Sequence, residues 1–315
     1  MYYIGVDLGG TNIAIGIVND ALQIIHKGSV PTNANRDGEL IVKDMAGLCE
    51  RLLKEKNIPL SEVASVGIAS PGTANSKTGV IQYANNLPFR DFPIAKLFKK
   101  YLAVERVIVE NDANAAALGE AVAGVAKGTN NSVMITLGTG VGGGIIIDGK
   151  VYSGFNYAGA ELGHIVIEHD GRQCSCGRKG CWEAYSSATA LIKMTNEKLE
   201  ECRARKRKTI MADAPRISGR TAFDAMRAGD EAGKEVVEMY LSYLGTGMVN
   251  IVNIFQPEVI SVGGGVSGEG QWLVDALLVK IRAEEYGHGV VPGTKVRIAQ
   301  LGNDAGIVGA AVLGM

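Results

Sequence analysis

Two adjacent polar residues, Asn111 and Asp112, stand where an apolar stretch gives way to an alanine-rich one. The stretch Val107–Glu110 predicts a buried strand, and the residues from Ala113 onward predict a helix. Catalytic side chains of α/β proteins usually lie at such strand-to-helix junctions, and a carboxylate there can accept a proton from a substrate. Asp112 is therefore a candidate general base. The ordinary alternative is a helix N-cap, a position that favours aspartate and asparagine for structural reasons.

Four residues with soft or borderline ligand atoms lie close together in the sequence: His164, Cys174, Cys176 and Cys181. Their spacing, H-x9-C-x-C-x4-C, predicts a tetrahedral Zn²⁺ site. Four protein ligands leave no open position for a substrate, which is typical of a structural metal. The chain has 5 cysteines, an odd number, and we do not expect a disulfide framework. The alternative is three reduced cysteines and an unrelated histidine.

Two carboxylates flank these four residues, since Glu161 precedes His164 and Glu183 follows Cys181. A metal that ties the two segments together would fix both carboxylates in place. Rigidly held acceptors suit a neutral polyhydroxyl ligand, because hydrogen bonds to such a ligand have to be aimed.

A glycine turn near the N-terminus, Asp-Leu-Gly-Gly-Thr starting at Asp7, joins two stretches that predict strands. The backbone N–H groups of Gly9, Gly10 and Thr11 would form an anion nest suited to phosphate, and we count the following Asn12 with this site. Asp7 would repel a phosphate unless a cation lay between them, so it predicts Mg²⁺ bound through water. The alternative is an ordinary hairpin with a solvent-facing aspartate.

A second glycine turn, at Gly138, Thr139 and Gly140, predicts a second phosphate nest. Two other nucleotide-binding patterns occur here: Gly138, Gly140 and Gly143 fit the dinucleotide motif, and the stretch from Gly144 to Lys150 fits the P-loop. A dinucleotide site needs a helix directly after the turn, whereas this turn leads into a strand. The P-loop pattern that ends at Lys150 has Val151 where Ser or Thr is needed for Mg²⁺. We interpret both matches as coincidences.

A third glycine group, Gly263, Gly264 and Gly265, follows the strand-like stretch Val259–Val262. Bare backbone at a strand end lets a flat ring approach closely, so this group predicts the place of an adenine ring.

The bulk composition gives no sign of a polyanionic or membrane partner. The chain has 315 residues, 46% of them apolar, and a formal net charge of −1. This length predicts about two domains. The balanced charge argues against nucleic acid, no stretch reaches the roughly 18 apolar residues of a membrane span, and the N-terminus lacks the features of a signal peptide. We therefore expect a cytoplasmic protein without membrane contact.

The first and second glycine turns lie in similar surroundings, each reading strand, glycine turn, strand and polar turn. Alternating isoleucines predict a strand after the first turn, and Asp148-Gly149 predicts a hairpin after the second. The recurrence indicates a duplicated, two-lobed α/β architecture. Helices are predicted at residues 38–56, 93–101, 112–126, 182–206, 221–228, 230–252, 270–285 and 305–313.

The order of these motifs resembles the ROK family (repressors, open reading frames, kinases) over essentially the whole chain. The motifs occur in one order: the turn at Asp7–Thr11, Asn111-Asp112, the turn at Gly138–Gly144, Ala160–His164 and the block Cys174–Glu183. The block of histidine and cysteines is the most specific of them, and the glycine turns are less so. The resemblance implies a two-lobed actin-like ATPase (ribonuclease H-like) fold with duplicated hairpin-bearing sheets and an inserted structural zinc loop. It implies a small α/β domain over residues 1–113, with a C-terminal helix over 303–315 packing back on it, and a large α/β domain over 114–302 that carries the zinc loop.

The same resemblance implies ATP-dependent phosphorylation of a hexose, with Mg²⁺ accompanying ATP and Asp112 as the base. It places the sugar hydroxyls on residues spread along the chain: Asn86, Asn111, Asp112, Glu161, His164 and Glu183. His164 would also bind zinc, and Asn85 competes with Asn86 for its place. The family's repressor branch has a DNA-binding segment ahead of its glycine turn, for which the six residues before Asp7 leave no room, so no nucleic-acid partner is expected. A homodimer or homotetramer is expected.

Glucose, phosphorylated at its C6 hydroxyl, is the expected substrate. The nearest alternative is a kinase of the same family that acts on mannose, an N-acetylhexosamine or fructose. A non-catalytic sugar sensor would not need Asp112, and a chaperone-like or filament-forming ATPase of the same fold would not need the metal-tied carboxylates.

Overall fold

The computed structural model describes residues 1–287 and 289–315, which form two compact units. The first unit comprises Met1–Met134, Gly144–Ala160 and Gln300–Met315, and the second comprises Ile135–Gly143 and Glu161–Ala299. The domain boundaries predicted at residues 113 and 302 stay a prediction, because a compact unit need not be one that folds or moves on its own.

The strands are β1 (Tyr2–Leu8), β2 (Asn12–Asn19), β3 (Ile24–Pro31), β4 (Val63–Ser70), β5 (Thr73–Asn75), β6 (Val80–Tyr83), β7 (Arg90–Phe92), β8 (Val107–Asn111), β9 (Ser132–Leu137), β10 (Val141–Ile147), β11 (Lys150–Val151), β12 (Val259–Gly263) and β13 (Lys295–Ile298). The helices are α1 (Gly38–Glu55), α2 (Ile94–Tyr101), α3 (Asp112–Ala123), α4 (Glu183–Ser186), α5 (Ala188–Ala204), α6 (Thr221–Arg227), α7 (Glu231–Phe255), α8 (Gln271–Glu284) and α9 (Ala305–Val312). Within the described ranges, none of the helices combines the length and the apolar character that crossing a membrane requires.

The first sheet has the strand order β3-β2-β1-β4-β8. Strands β1, β2 and β3 pair antiparallel, whereas β1, β4 and β8 pair parallel. The register sets Asp7 opposite Ala69, and Ser70 opposite Asn111. Because parallel strands end at the same edge of a sheet, this register brings Asp7 and Asn111 to one edge, where α/β proteins usually bind their ligands.

The second sheet repeats the plan of the first, with the order β11-β10-β9-β12-β13. In each sheet the three strands of the hairpin unit are followed by two strands from later in the chain. Asp148 and Gly149, between β10 and β11, both have positive φ (53° and 72°), as the predicted two-residue hairpin turn requires. The prediction of duplicated hairpin-bearing sheets is confirmed. A small antiparallel sheet, β5-β6-β7, carries residues 84–89 between its last two strands.

The predicted helices are confirmed with one exception. Residues 182–206 form two helices, α4 and α5, because the chain is extended at Ser187 (φ −78°, ψ 164°). The Ser187 hydroxyl accepts a hydrogen bond from the N–H of Ala190 at 3.0 Å, so this serine caps a new helix. The break turns the start of α5 toward the second glycine turn, as described below.

The helices of the second unit surround α7, which contacts α4, α5, α6 and α8. Trp182, with no exposed surface, donates its indole N–H to the carbonyl of Tyr243 at 3.1 Å and fills the space left by the absent side chain of Gly247. This contact fixes the start of α4, where Glu183 lies.

Helix α9 packs very closely on β1 and β4 within the first unit. A Cβ atom on Gly5 of β1 would overlap the carbonyl oxygen of Ile307, and one on Gly67 of β4 would overlap that of Ala310. Only a hydrogen atom fits at these two positions, so the helix backbone rests directly on the sheet.

We predict that Gly67→Ala lowers the free energy of unfolding by about 1–3 kcal/mol or more, since the new methyl group would meet helix backbone that cannot move aside cheaply. The control is Gly47→Ala in α1, where an added Cβ meets nothing within 4 Å. That variant should be neutral or more stable by up to about 1 kcal/mol, because alanine is the better helix former. Urea unfolding of both variants checks this, and equal stabilities would contradict it.

Candidate active site

Asp7 and Asp112 lie close enough at the edge of the first sheet for their charges to interact. The pKa of Asp7 is raised to about 6, first because the side chain is partly removed from water and second because of the charge on Asp112. Burial also raises the pKa of Asp112, although the N–H of Ala113 donates to it at 2.9 Å and opposes that shift. A pair of crowded carboxylates suits a hard divalent cation, whose preferred ligands are oxygen atoms. The donor set therefore fits the predicted Mg²⁺ near Asp7.

The cap of helix α3 is Asn111, so the alternative in which Asp112 serves only as an N-cap is wrong. The Asn111 Oδ1 atom accepts hydrogen bonds from the N–H groups of Ala113 (2.9 Å) and Asn114 (3.1 Å). Its Nδ2 donates to the carbonyl of Gly72 at 3.1 Å. Asn111 thus caps the helix, so the Asp112 carboxylate is not needed for capping and can act as a base.

A buried carboxyl group, which the sequence did not single out, supports this junction from beneath. Glu110 is 4% exposed and accepts hydrogen bonds from the N–H of Asn111 (2.9 Å) and from Nδ2 of Asn114 (3.0 Å). Burial raises the pKa of Glu110. Since its two donors lie on either side of Asp112 in the chain, Glu110 fixes the path from β8 into α3.

The first glycine turn is held shut by its own backbone and by Thr32. The N–H of Gly9 donates to the carbonyl of Asn12 at 2.9 Å, so the prediction that this N–H belongs to the phosphate nest is wrong. Closure of the hairpin uses it, and Gly10 and Thr11 remain as the expected donors. Thr32, fully buried, donates its hydroxyl to Gly9 O (2.6 Å) and its N–H to Thr11 O (2.8 Å). No sequence signal pointed to Thr32.

The structure separates the two neighbouring asparagines in the loop between β6 and β7. A Cβ atom on Gly10 would lie 2.8 Å from Nδ2 of Asn86, so the Asn86 amide lies directly against the first glycine turn. The Asn85 amide oxygen instead accepts a hydrogen bond from the hydroxyl of Tyr83. Of the two, Asn86 is the one placed beside the predicted phosphate site.

The second glycine turn, Gly138–Gly140, is fixed by residues at the start of α5. The N–H of Ala188 donates to Gly138 O at 2.8 Å, and the Thr189 hydroxyl donates to Thr139 O at 2.8 Å. Just after the turn, the N–H of Val141 donates to Oε2 of Glu183 at 3.0 Å. The turn is therefore held in one conformation by a segment that follows the cysteines in sequence.

The third glycine group ends β12 with bare backbone. Gly264 has φ 83°, and a Cβ there would lie 2.5 Å from the carbonyl oxygen of Leu137, so only glycine fits. An added Cβ on Gly265 would meet nothing within 4 Å. The backbone at Gly265 is therefore open on this side, and its contact with an adenine ring stays a prediction.

The four predicted metal ligands come together. The ligand atoms of His164, Cys174, Cys176 and Cys181 all lie within 4.8 Å of one another. The Sγ atoms of Cys176 and Cys181 are 3.6 Å apart, and Sγ of Cys174 is 3.7 Å from Nδ1 of His164. Tetrahedral Zn²⁺ with bonds of about 2.0–2.3 Å sets its ligand atoms roughly 3.5–3.8 Å apart, so these residues fit zinc.

The predicted sugar residues Glu161 and His164 share a tight turn in which the N–H of His164 donates to Glu161 O at 3.0 Å. A Cβ on Gly163, within that turn, would overlap the carbonyl oxygen of Val141. The turn therefore packs against the same Val141 whose N–H binds Glu183. The structure brings Glu161, His164 and Glu183 together with the end of the second glycine turn.

The two sheets repeat one strand order, each carries a glycine hairpin, and a carboxylate lies at a strand-to-helix junction. This architecture is that of the actin-like ATPase class of folds, and the comparisons with known proteins place it among the sugar kinases. The model of the ROK family matches residues 3–315, and the chain belongs to the ROK family. It is 37% identical to a glucokinase from Halalkalibacterium halodurans over 317 residues, covering 99% of this chain and 94% of that protein. A solved ROK family glucokinase from Streptomyces griseus, in complex with glucose and AMPPNP, is 34% identical with a TM-score of 0.79 and 99% of both chains covered. A ROK hexokinase from Thermus thermophilus is 33% identical, with a TM-score of 0.81 and coverage of 99% and 97%.

We predict that the purified protein carries about one Zn²⁺ per chain, as the closed four-ligand set implies. Cys176→Ser should lose the metal, because a serine hydroxyl is a poor ligand for zinc. Cys202→Ala is the matched control, since Cys202 is buried but lies outside the cluster, and it should keep the metal. Metal analysis of the three purified proteins checks this, and a wild-type protein free of zinc would overturn it.

Proposed function

We propose that the protein is a glucokinase that transfers the γ-phosphoryl group of ATP to the C6 hydroxyl of glucose. The observation that carries the proposal is the position of Asp112. This carboxylate is partly buried at the edge of the first sheet and lies near a second carboxylate, Asp7. The junction that holds it is fixed by hydrogen bonds such as the one from the N–H of Asn114 to Asn111. The glucokinase relatives at 34–37% identity support the choice of sugar.

In the proposed reaction, the C6 oxygen of glucose bonds to the γ-phosphorus while the bond from that phosphorus to the ADP oxygen breaks. Asp112 takes the proton of the hydroxyl. The base works only when ionised, so activity is lost as the pH falls through the pKa of Asp112, and burial moves that loss to a higher pH than for an aspartate in water. Mg²⁺, held near Asp7 through water, would neutralise phosphate charge, and positioning supplies most of the remaining acceleration.

Sugar hydroxyls are assigned to the hydrogen-bonding side chains that the family resemblance names. In the first unit these are Asn86, Asn111 and the base itself. In the second unit they are Glu161, His164 and Glu183, which the zinc cluster holds in place. His164 directs Nδ1 toward the cluster, which leaves Nε2 for a hydroxyl.

The nucleotide is assigned to the three glycine groups. Backbone N–H groups of the first two turns would bind phosphate oxygens, as anion nests do, and the third would lie against adenine. The residues of this assignment are Asp7, Gly9, Gly10, Thr11, Asn12, Gly138, Thr139, Gly140, Gly263, Gly264 and Gly265. Within it, Gly9 contributes by closing the first turn rather than by donating to phosphate.

The proposal extends to the protein's setting. We propose that it acts in the cytoplasm, on a free hexose, as a homodimer or homotetramer. Analytical ultracentrifugation would give the assembly state directly.

We predict that Asp112→Asn lowers kcat about a hundredfold or more, the usual scale for loss of a general base, while glucose and AMPPNP still bind. Asparagine has nearly the same shape and can still accept the N–H of Ala113, so the fold should hold. Asp148→Asn is the matched control, because Asp148 lies in an exposed hairpin turn whose left-handed backbone asparagine tolerates. A coupled ADP-release assay measures both, and near-normal turnover in Asp112→Asn would refute the assignment.

We predict that glucose has the highest kcat/KM among glucose, mannose, fructose, N-acetylglucosamine and 2-deoxyglucose at saturating Mg-ATP. A site that hydrogen-bonds several ring hydroxyls rejects an analogue that lacks one of them, because the buried partner is then left unpaired. If fructose or an N-acetylated sugar led by tenfold, about 1.4 kcal/mol of transition-state preference, the glucose assignment would be wrong while the kinase assignment would stand.

A further inference from the structure

Ser175 lies between two metal ligands and points at a proposed sugar residue. Its hydroxyl donates a hydrogen bond to Oε1 of Glu183 at 3.1 Å. Because its neighbours Cys174 and Cys176 both belong to the metal cluster, the backbone on each side of Ser175 is anchored. The hydroxyl of an otherwise exposed serine is thereby aimed at one oxygen atom.

The other oxygen of Glu183 is bound by the second glycine turn. Oε2 accepts the N–H of Val141 at 3.0 Å. At Gly140, a Cβ atom would overlap this same oxygen, so the turn has room for the carboxylate only because residue 140 is glycine. Glu183 therefore joins the loop that carries the three cysteines, Cys174–Cys181 (the metal loop), to the second glycine turn, Gly138–Gly140 (the phosphate turn).

The opposite side of the turn is held by the same stretch of chain. Ala188 and Thr189 bind the carbonyl groups of Gly138 and Thr139. The segment from Glu183 to Thr189 thus contacts the turn at three points. Of these three, the contact through Glu183 is the one whose geometry depends on a side chain from the metal loop.

We propose that Ser175 is a positioning residue that fixes the orientation of the Glu183 carboxylate for both substrates. Sugar recognition and the conformation of the second glycine turn then depend on one hydrogen-bonded unit, Ser175–Glu183–Val141. This rests on the proposed function in assigning sugar hydroxyls to Glu183 and phosphate to Gly138–Gly140. When Ser175 lacks its hydroxyl, Oε1 keeps only the longer contact with Sγ of Cys174 at 3.9 Å, and the carboxylate can rotate. Rotation turns the carboxylate away from the sugar hydroxyl, and it weakens the hydrogen bond from the N–H of Val141 that holds the end of the turn.

The test is Ser175→Ala, with Ser175→Thr as the conservative variant that keeps a hydroxyl. In Ser175→Ala we expect KM for glucose and Kd for AMPPNP each to rise about tenfold, the scale of one hydrogen bond to a charged group, with zinc content unchanged. Ser175→Thr should recover most of both affinities. Ser242→Ala, an exposed serine on α7, is the matched control and should leave both constants unchanged.

Each of the other possible outcomes contradicts one part of the proposal. A rise in KM for glucose alone would show that Glu183 does not support the phosphate turn. Unchanged constants would remove the positioning role, and loss of zinc would make Ser175 a support of the metal loop instead. AMPPNP binding, measured by calorimetry, needs no turnover. A wild-type protein that binds AMPPNP but phosphorylates no sugar would therefore refute the proposed function. The effect of Ser175→Ala on the Kd for AMPPNP would still test whether Ser175 supports the phosphate turn.

Discussion

The burial of two neighbouring carboxylates, Asp7 and Asp112, is the constraint on which the proposed site in the first unit depends. Burial disfavours the ionised form of both carboxylates and raises the pKa of each, and the charge on Asp112 raises that of Asp7 further. The parallel register of β1, β4 and β8 nevertheless brings them to one edge of the sheet, and the hydrogen bonds of Asn111 and Glu110 keep the junction from relaxing. A divalent cation and a hydroxyl that gives up its proton are the partners that relieve such a pair, and the proposed reaction supplies both.

The second unit fixes its functional groups by a different means. Glu161, His164 and Glu183 do not lie on long regular elements but on short turns, which need an external constraint to hold one geometry. The cluster of one histidine and three cysteines supplies it, and the buried ring of Trp182 anchors the segment that follows. The ligand set is that of a structural metal site, yet Ser175, between two of the four residues, lies only one hydrogen bond away from a proposed sugar-binding carboxylate.

Much of this was predictable because it depends on local pattern. Strand and helix positions follow from periodicity, and the metal cluster from the scarcity and spacing of cysteines. The remainder depends on backbone geometry or on distant residues. Whether Asn111 or Asp112 caps α3 is decided by φ and ψ at the junction, and the break at Ser187 lies inside a stretch whose composition favours one continuous helix. Thr32 meets Gly9 only after β3 has paired with β2, so no local signal could mark it.

The close packing of α9 on Gly5 and Gly67 also determines when the first unit can finish folding. The strands that carry Gly5 and Gly67 are synthesised early, whereas the helix that covers them comes from residues 305–312. Until those residues are made, this face of the first sheet is covered only in part, by α3, whose Ala115 packs with Ala69 of β4. The contacts that complete it join residues far apart in the sequence. Such distant contacts close slowly, and an uncovered apolar sheet is prone to aggregate meanwhile. Folding of the first unit therefore cannot finish before residues 305–312 have been made, and a nascent chain halted before α9 would leave the apolar surface around Gly5 and Gly67 exposed.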